Sequence, residues 1–450
     1  MENSVKISMI AYFSHGYLCR RRHKVALIAE SNLKFDDVNQ QFTLRLPPTQ
    51  ESVCGMEIKM SREYIELPTI TPDGKLYHNN RTDTVEALIP NAPFETCHAA
   101  DLLALPNGDM LAVWFAGSDE GNADISIVLS RLEKGAGQWS SPVRVSDDAT
   151  RSEQNPSLFL KEDGEIWLMY TAQVSKSPEN NPFFNLQYTA EIRCKKSFDN
   201  GRTWGETTVM FDRPGSFCRQ KIQVLSNGRY VFGNWICFPD ESRNGSDITV
   251  IQISDDQGRT WREVNIPESA GRVHANLVEV RPGVLVALMR SRFADNIYRS
   301  VSEDYGETWS VPVRTELPNN NSSISAIRLD SGAIAMVYNP VRYNDDPSKT
   351  VWPQQRCPIE AAISEDEGVT WNYRRVIEPG EGFEGRYNDI NNRRYEYPVM
   401  TQTADGRIHV AYSFGNRENI KYVCVDEAWI RGEKVCHGAE NLEEFPRQRV

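Results

Sequence analysis

The 450-residue chain lacks the features that mark several large classes of protein. Its nine cysteines are odd in number and scattered, with no Cys-x-x-Cys pair, so the sequence predicts neither a disulfide framework nor a zinc site. No apolar run reaches the length of a membrane-spanning helix. The net charge of −12 argues against a protein that binds nucleic acid or an anionic membrane. We therefore expect no nucleic-acid partner, no membrane association, no metal and no other cofactor.

The N-terminus also lacks the order of a secretory signal. The short apolar run from Ile7 to Phe13 is followed, not preceded, by the three arginines at positions 20–22. Because the cysteine pattern suits a reducing compartment, we expect a cytoplasmic location, with secretion as the open alternative. Residues 1–58 show no clear period and are predicted to form an N-terminal extension. Residues 59–440 are predicted to form one domain.

One eight-residue phrase of the form Ser-x-Asp-x-Gly-x-Thr-Trp occurs four times along the chain. Its copies are Ser197–Trp204, Ser254–Trp261, Ser302–Trp309 and Ser364–Trp371, and a fifth, degenerate copy runs from Ser130 to Trp139. The aspartate can bond to backbone groups in a tight turn, and the glycine permits positive φ. The tryptophan is suited to wedging between packed sheets. Each copy is therefore predicted to be a structural turn with its own anchor.

Between these turns the sequence repeats a hairpin pattern, in which two apolar strands flank a short turn that contains glycine. The copies are Leu102–Phe115, Ser157–Tyr170, Ile222–Trp235, Leu277–Met289, Ala326–Tyr338 and Val399–Tyr412. A hairpin and the turn phrase that follows it supply four strands, and no convincing amphipathic helix interrupts the series. The sequence thus predicts an all-β protein, a six-bladed β-propeller of four-stranded antiparallel blades, with seven blades as the alternative.

Two segments bear on how the ring would close. Residues 381–394 form an insertion that lengthens the last interval between a turn phrase and its hairpin. The strand-like segment from Tyr64 to Tyr77, which contains Asp73-Gly74, is predicted to pair with the C-terminal blade or to begin a seventh blade.

Polar residues just before the first strand of each blade are expected to meet at the mouth of the central channel, together with polar residues at strand ends. The candidate substrate-binding residues are Arg151, Gln154, Arg219, Gln220, Asn276, Glu120, Arg290, Arg292 and Arg417. A guanidinium group matches a carboxylate through two parallel hydrogen bonds. This concentration of arginine in an acidic protein predicts a pocket for a carbohydrate that carries a carboxylate, such as a sialate or a uronate.

Two of the seven histidines, His98 and His274, stand in matching positions before an apolar strand. A histidine in such a place can act as a general base or acid near neutral pH. An alternative is a pair of carboxylates of the glycosidase type, drawn from Asp119, Glu120 and Asp124.

The repeated phrase resembles the Asp box, or BNR repeat, of the sialidase-like β-propeller superfamily, and the resemblance covers roughly residues 90–430. A typical sialidase carries Arg-Ile-Pro at the head of its first unit, and that arginine belongs to a triad that grips the sialate carboxylate. Here the position reads Cys97-His98-Ala99, and Arg-Ile-Pro does not occur in the chain. The Tyr-Glu nucleophile pair of sialidases has candidates in Tyr397 with Glu396 or Glu279.

The sequence is also similar to a divergent branch of that superfamily, which includes lyases and rhamnosidases acting on rhamnose–glucuronate caps. The similarity rests on His98-Ala99, on residues 151–156, on Arg219-Gln220 and on residues 319–323. It implies β-elimination at a glucuronate: an arginine neutralises the carboxylate, a histidine removes the proton at C5, and a further group protonates the leaving oxygen. The residues implied are Arg151, Arg193 or Arg219 for the first role, His98 or His274 for the second, and Tyr397 or the other histidine for the third.

Three functions are therefore open at this point. The preferred one is β-eliminative release of a capping sugar from glucuronate. The second is exo-glycoside hydrolysis of the exo-α-sialidase or α-L-rhamnosidase type, in which His98 would activate water. The third is sugar binding without catalysis.

Overall fold

The computed structural model describes residues 71–433, except 81, 178, 180–185, 240–243, 344–345, 347, 353–355 and 380–394, together with five short strands nearer the N-terminus. The chain divides into two compact units, Met1–Leu67 and Pro68–Gln448. In the first unit two antiparallel sheets are described, and their strands are β1 (Ile10–Ala11) with β2 (Val25–Ala26), and β3 (Leu33–Asp36) with β4 (Gln41–Arg45) and β5 (Glu57–Ser61). The predicted division at residues 58 and 59 stays a prediction.

The second unit begins with β6 (Tyr77–Asn79) and β7 (Thr84–Ile89), which precede six sheets that follow one another along the chain. Blade 1 consists of β8 (Thr96–Ala104), β9 (Met110–Gly117), β10 (Ser126–Leu132) and β11 (Val143–Arg144). Blade 2 consists of β12 (Arg151–Leu160), β13 (Ile166–Val174), β14 (Glu191–Ser197) and β15 (Thr208–Phe211), with a short 3₁₀ helix at Gln187–Thr189. Blade 3 has an interrupted inner strand, and its strands are β16 (Ser216–Cys218), β17 (Gln223–Val224), β18 (Tyr230–Ile236), β19 (Ile248–Ser254) and β20 (Arg262–Asn265).

The remaining blades repeat the same order. Blade 4 consists of β21 (Arg272–Arg281), β22 (Val284–Ser291), β23 (Asn296–Ser302) and β24 (Val313–Pro318). Blade 5 consists of β25 (Ser325–Arg328), β26 (Ile334–Tyr338), β27 (Ile359–Ser364) and β28 (Tyr373–Glu378). Blade 6 contains β29 (Glu396–Gln402), β30 (Arg407–Phe414) and β31 (Asn419–Asp426), followed by helix α1 (Glu427–Ile430). Among the described residues, no helix combines the length and apolar character needed to cross a membrane.

The ring is closed by a strand from the beginning of the unit. Strand β7 pairs antiparallel with β31 as the fourth strand of blade 6, and β6 pairs with β7. The six-bladed propeller of antiparallel sheets is confirmed, and the seven-bladed alternative is wrong. The closing strand β7 lies after the predicted segment Tyr64–Tyr77. The residues of that segment described before Tyr77 form turns around Asp73-Gly74 and are not the closing strand. The insertion at residues 381–394 lies outside the described residues.

Apolar side chains fill the interfaces between adjacent blades. Six buried hydrophobic clusters correspond to the six interfaces, including the one between blades 6 and 1. The tryptophan of each turn phrase packs between its own blade and the preceding one; Trp309, for example, joins the cluster between blades 3 and 4. This packing confirms the anchoring role predicted for the phrase.

The turn phrase has the same hydrogen bonds in each of its four copies. In the first copy, Asp199 accepts from Thr203 N at 2.8 Å and from Thr203 Oγ1 at 2.6 Å, while Ser197 Oγ accepts from Gly201 N at 2.9 Å. Asn200 and Gly201 both have positive φ, at 60° and 76°.

The turn phrase joins the third and fourth strands of its blade, at the end of the blade where the first hairpin turns. The inner strands begin at the opposite end, and the predicted site lies there.

Candidate active site

The inner strands are distorted where they enter the channel mouth. Four of them contain a bulge whose first residue is not glycine and has φ of 49° to 58°, and these residues are Ala99, Asn155, His274 and Tyr397. Left-handed backbone is unfavourable for such residues and is common at functional sites, and a bulge re-aims a side chain. His98 lies one residue before the bulge position that His274 occupies. The matching positions predicted for the two histidines are therefore offset by one residue.

Tyr397 is the centre of a cluster of guanidinium groups. Arg290 Nη1 donates a hydrogen bond to the Tyr397 hydroxyl oxygen. The guanidinium carbons of Arg290, Arg219 and Arg356 lie 5.3, 5.7 and 5.7 Å from the centre of the Tyr397 ring. Burial by itself raises the pKa of this phenol, but the charges of Arg290 and Arg356 outweigh it, so the pKa of Tyr397 lies below its ordinary value. The site thus favours a tyrosine that gives up its proton.

His274 contacts the same arginine. Its Nε2 lies 3.2 Å from Arg290 Nη1, and its Nδ1 lies 3.0 Å from Ser323 Oγ. Because a guanidinium group only donates, Nε2 must be the acceptor, and Nδ1 therefore carries the proton. The ring stacks on Trp235 with 4.1 Å between centroids. Burial, followed by the charge of Arg290, places the pKa of His274 well below its ordinary value, so the imidazole is neutral.

His98 lies beneath Tyr397 and is enclosed by protein. Its Nδ1 is 2.8 Å from Ser413 Oγ, and its Nε2 is 3.3 Å from Glu396 Oε2. The His98 ring packs against the Tyr397 ring with 4.2 Å between centroids. Burial, and then the charge of Arg417, holds the pKa of His98 well below its ordinary value. The structure thus places both ring nitrogens against protein groups.

Two arginines of the cluster carry charge that the described residues do not neutralise. Neither Arg219 nor Arg290 forms an ion pair with a described carboxylate. Arg219 donates to the carbonyls of Ala100 at 2.9 Å and Tyr397 at 3.1 Å, and Arg290 Nε donates to Asn321 Oδ1 at 2.7 Å. Arg219 Nε and Arg290 Nη2 are buried and have no hydrogen-bond partner among the described residues. Burial lowers the pKa of Arg219, and it lowers that of Arg290 to about 9. Buried cations of this kind favour an anionic ligand.

The other arginines at the mouth are paired with carboxylates. Arg292 donates to Asp247 Oδ2 at 2.8 Å. Arg417 donates to Glu396 Oε2 at 2.8 Å and also bonds to Glu120. These two predicted arginines, and the predicted Glu120, are therefore ion-paired within the protein.

The residues predicted on blade 2 lie in a different environment. Arg193 pairs with Asp148 at 2.7 Å and with Glu191 at 2.8 Å. Arg151 donates to Ala172 O at 2.9 Å and pairs with Glu191 at 3.6 Å. The structure does not bring these two arginines into the cluster around Tyr397, because the carboxylates of blade 2 hold them.

Gln154, Gln220 and Asn276 are held by hydrogen bonds to other groups of the protein. Gln154 Nε2 donates to Ser152 Oγ at 3.0 Å. Asn276 Nδ2 donates to the carbonyls of its own blade and of Ile324 at 3.0 to 3.4 Å. All three side chains are buried. Their predicted contact with substrate stays a prediction.

Blade 3 also sends side chains to blades that are not its neighbours. Where its inner strand is interrupted, Arg219 reaches blades 1 and 6 through the two carbonyls given above. Gln220 Nε2 donates to Ile324 O, just before blade 5, at 3.0 Å. Lys221 pairs with Asp101 Oδ1 of blade 1 at 3.0 Å. We call these three side chains the cross-braces.

The carboxylates predicted to pair with one another are engaged elsewhere. Asp124 accepts from the backbone N and the Oγ of Ser118 at 2.8 Å, and Asp119 pairs with Lys176.

Glu279 was predicted as one of two partners of Tyr397. It accepts from Gly283 N at 2.9 Å, at the hairpin end of blade 4. Glu279 therefore lies at the end of the blade away from Tyr397, and its pairing with Tyr397 is wrong.

Arg356 was not among the predicted site residues. It lies in the connection between β26 and β27, at the same end as the start of the inner strands, and precedes the buried Cys357. Its sequence signal is a position shortly before the third strand of a blade, whereas the predicted residues precede first strands or lie at strand ends. Ser413, which holds His98, was missed because serine at a strand end is common. Asn321, which holds Arg290, lies in the segment 319–323 on which the sequence similarity rests.

These features define a class: a six-bladed propeller whose mouth holds a tyrosine within a group of buried arginines. The chain belongs to the family described as BNR repeat-like domain, which matches residues 108–410. The predicted sialidase-like superfamily is thereby confirmed.

The chain is similar in sequence to three curated proteins named as sialidases. The chain is 25% identical over 361 residues to a sialidase of Micromonospora viridifaciens, which is 74% of this chain and 51% of that protein. It is 26% identical over 221 residues to a sialidase of Bacteroides fragilis, which is 47% of this chain and 39% of that protein. The chain spans between about 39% and 57% of the length of the curated relatives it matches.

Solved structures show the same fold. A leech intramolecular trans-sialidase superposes with a TM-score of 0.60 at 14% identity, over 89% of this chain and 83% of that one. The NanB sialidase of Streptococcus pneumoniae gives a TM-score of 0.59 at 14% identity, over 88% and 83%. At these identities the likeness concerns the fold alone.

Proposed function

We propose that this protein is an exo-acting, glycan-degrading glycosidase that holds a terminal sugar by its carboxylate. The observation that carries the proposal is the pair of buried guanidinium groups of Arg219 and Arg290 around Tyr397, neither of which forms an ion pair with a described carboxylate. A carboxylate bound there would accept the charge-assisted hydrogen bonds that Arg219 Nε and Arg290 Nη2 donate to no described protein group. The similarity to sialidases, which use a tyrosine nucleophile, supports the same assignment.

In this reaction Tyr397 is the nucleophile. Its oxygen attacks the anomeric carbon while the bond from that carbon to the leaving oxygen breaks, and water later cleaves the sugar–tyrosine bond. Arg290 Nη1 contacts both the Tyr397 oxygen and His274 Nε2. The phenolate form of Tyr397 is therefore stabilised by Arg290, and its proton passes to solvent before the attack. The leaving oxygen takes a proton from water.

A second candidate is β-elimination at a uronate, and one observation favours it. The groups next to the Tyr397 oxygen are a guanidinium and a neutral imidazole, whereas the carboxylate of Glu396 faces His98 and Arg417. A tyrosine with a lowered pKa and a neutral histidine are the acid and base that proton abstraction needs. The arginine cluster would stabilise the enolate that develops at the carboxylate.

One assay separates the two candidates. The protein is incubated with a sialyl glycoside and with a rhamnose-capped glucuronide, and both the released sugar and the ultraviolet absorbance of a conjugated double bond are measured. Hydrolysis releases sugar without new absorbance, and elimination produces both. Absence of turnover on both substrates would refute the proposal and leave sugar binding as the remaining function to test.

A further inference from the structure

One buried carboxylate links groups from three parts of the ring. Glu396 directly precedes Tyr397 and is fully buried. Its Oε2 lies 3.3 Å from His98 Nε2 of blade 1, 3.3 Å from Arg356 Nη1 before β27, and 2.8 Å from Arg417 Nε after β30. A single oxygen thus joins one histidine and two arginines.

The backbone around Glu396 fixes the same arrangement. Glu396 pairs with Ser413 on β30, immediately before the bulge that contains Tyr397. Ser413 Oγ lies 2.8 Å from His98 Nδ1, and Glu396 Oε2 lies 3.3 Å from His98 Nε2, so the cross-strand neighbours Glu396 and Ser413 face the two nitrogens of one ring. That ring packs against Tyr397. The orientation of the Tyr397 ring therefore depends on His98, and the orientation of His98 depends on Glu396.

Glu396 also adjusts the charge near Tyr397. Several titratable or charged groups face Tyr397 or act on it from the neighbouring blades, and these are His98, Glu120, Arg219, His274, Arg290, Arg292 and Arg356. Of these, Arg356 is paired directly with Glu396. Removal of the Glu396 charge would leave the mouth more positive, because Arg356 would lose this partner.

We propose that Glu396 is a positioning residue. Its carboxylate aligns His98 and Arg356 around Tyr397 and compensates the positive charge of Arg356, without touching the reacting oxygen. The inference rests on the proposed function, since it takes Tyr397 as the reacting group. It assigns to Glu396 a role different from that of the carboxylate in a Tyr-Glu nucleophile pair.

The test compares Glu396→Gln with Ser413→Ala, which removes a hydrogen bond to the same histidine without changing charge. Two quantities are measured: kcat and KM on the substrate found active, and the ultraviolet titration of Tyr397, obtained as the difference between each protein and the same protein carrying Tyr397→Phe. We expect Glu396→Gln to lower kcat on the order of 10- to 100-fold without raising KM, since misplacement of a reacting group affects the transition state most. The Tyr397 titration should move to lower pH in Glu396→Gln and stay in place in Ser413→Ala.

If Glu396 has a purely structural role, a folded Glu396→Gln protein keeps its kcat and its Tyr397 titration. That result overturns the inference. If Glu396→Gln does not fold, Glu396→Asp replaces it, because it keeps the charge and moves it by one methylene group. Loss of kcat in Glu396→Asp, with the Tyr397 titration retained, supports positioning, and wild-type kcat overturns it. If no substrate is turned over, the proposed function fails, while the Tyr397 titration still decides the role of Glu396.

Discussion

Arg290 donates a hydrogen bond to the hydroxyl oxygen of Tyr397, so that a cation from blade 4 stabilises the phenolate form of a tyrosine from blade 6. The two side chains are 107 positions apart in the chain. Their contact places a charge at the point where a proton would leave. It also makes the chemistry of the site dependent on two residues that can be changed separately.

Removal of the Tyr397 hydroxyl tests its role directly. Tyr397→Phe should lower kcat by roughly 10²- to 10⁴-fold, because it removes the nucleophile of the proposed reaction. The measurement is steady-state turnover on the active substrate, with thermal unfolding to show that the protein is folded. Retention of most of the wild-type kcat would contradict the assignment.

Removal of the Arg290 charge should affect substrates that carry a carboxylate. Arg290→Met should raise KM for such a sugar by roughly 10- to 100-fold, since charge-assisted hydrogen bonds contribute about 1.5–3 kcal/mol. Its binding of the corresponding neutral methyl ester should change much less. Arg281→Met is the matched control, because Arg281 is exposed and pairs with Glu367 at the hairpin end of blade 4. Equal losses for acid and ester would show that Arg290 does not recognise the carboxylate.

The fold could be predicted because its signals are local. The turn phrase and the hairpin pattern each describe one blade, and repetition then fixes the number of blades. The site could be predicted only in part, because it depends on bulges and on distant contacts. The bulges in β8 and β21 have no sequence mark, so the sequence does not show that His274 begins one bulge whereas His98 precedes the other. Arg356 reaches Tyr397 from a loop that the repeated pattern does not include.

The turn phrases should contribute to stability and not to turnover. Asp199→Ala removes the acceptor of two backbone and two side-chain hydrogen bonds and should lower the free energy of unfolding by about 1–2 kcal/mol, given that the turn is exposed. Arg202→Ala in the same turn breaks only an exposed pair with Glu133 and should change it by less than about 1 kcal/mol. Urea unfolding and kcat are measured for both. A large fall in kcat for folded Asp199→Ala would count against this division of roles.

His409 should make the protein less stable in acid. Burial, and then the charge of Arg407, lowers the pKa of His409 to about 4, whereas the unfolded chain has a value of about 6.5. Above pH 6.5 both states are neutral at this residue. Below it the unfolded state binds the proton first, so stability falls by about 1.4 kcal/mol per pH unit until the folded pKa is reached. When the pH falls from 7.5 to 5, the free energy of unfolding of His409→Gln should therefore decrease by roughly 2 kcal/mol less than that of the wild type. Urea unfolding at the two pH values measures this difference. Equal pH dependence in the two proteins would show that His409 does not contribute.

The closure of the ring should depend on one buried lysine. Lys421 on β31 pairs with Glu86 on β7 at 2.9 Å and also bonds to Glu378 of blade 5. Lys421→Met leaves two buried carboxylates without their cation and should lower the free energy of unfolding by about 3–5 kcal/mol. Lys349→Met, which removes an exposed partner of Asp346, serves as the control with an expected change below about 1 kcal/mol. Similar unfolding midpoints for the two variants would argue against this role.

The cross-braces of blade 3 have a consequence for how the ring comes apart. A ring of units that contact only their neighbours can lose one unit at a time, as linear repeat arrays do. Here Arg219, Gln220 and Lys221 connect blade 3 directly to blades 1, 5 and 6. The loss of any of these blades therefore removes bonds on the far side of the ring as well. The propeller should therefore unfold cooperatively as one body. Arg219, which belongs to the candidate site, donates two of the hydrogen bonds that produce this cooperativity.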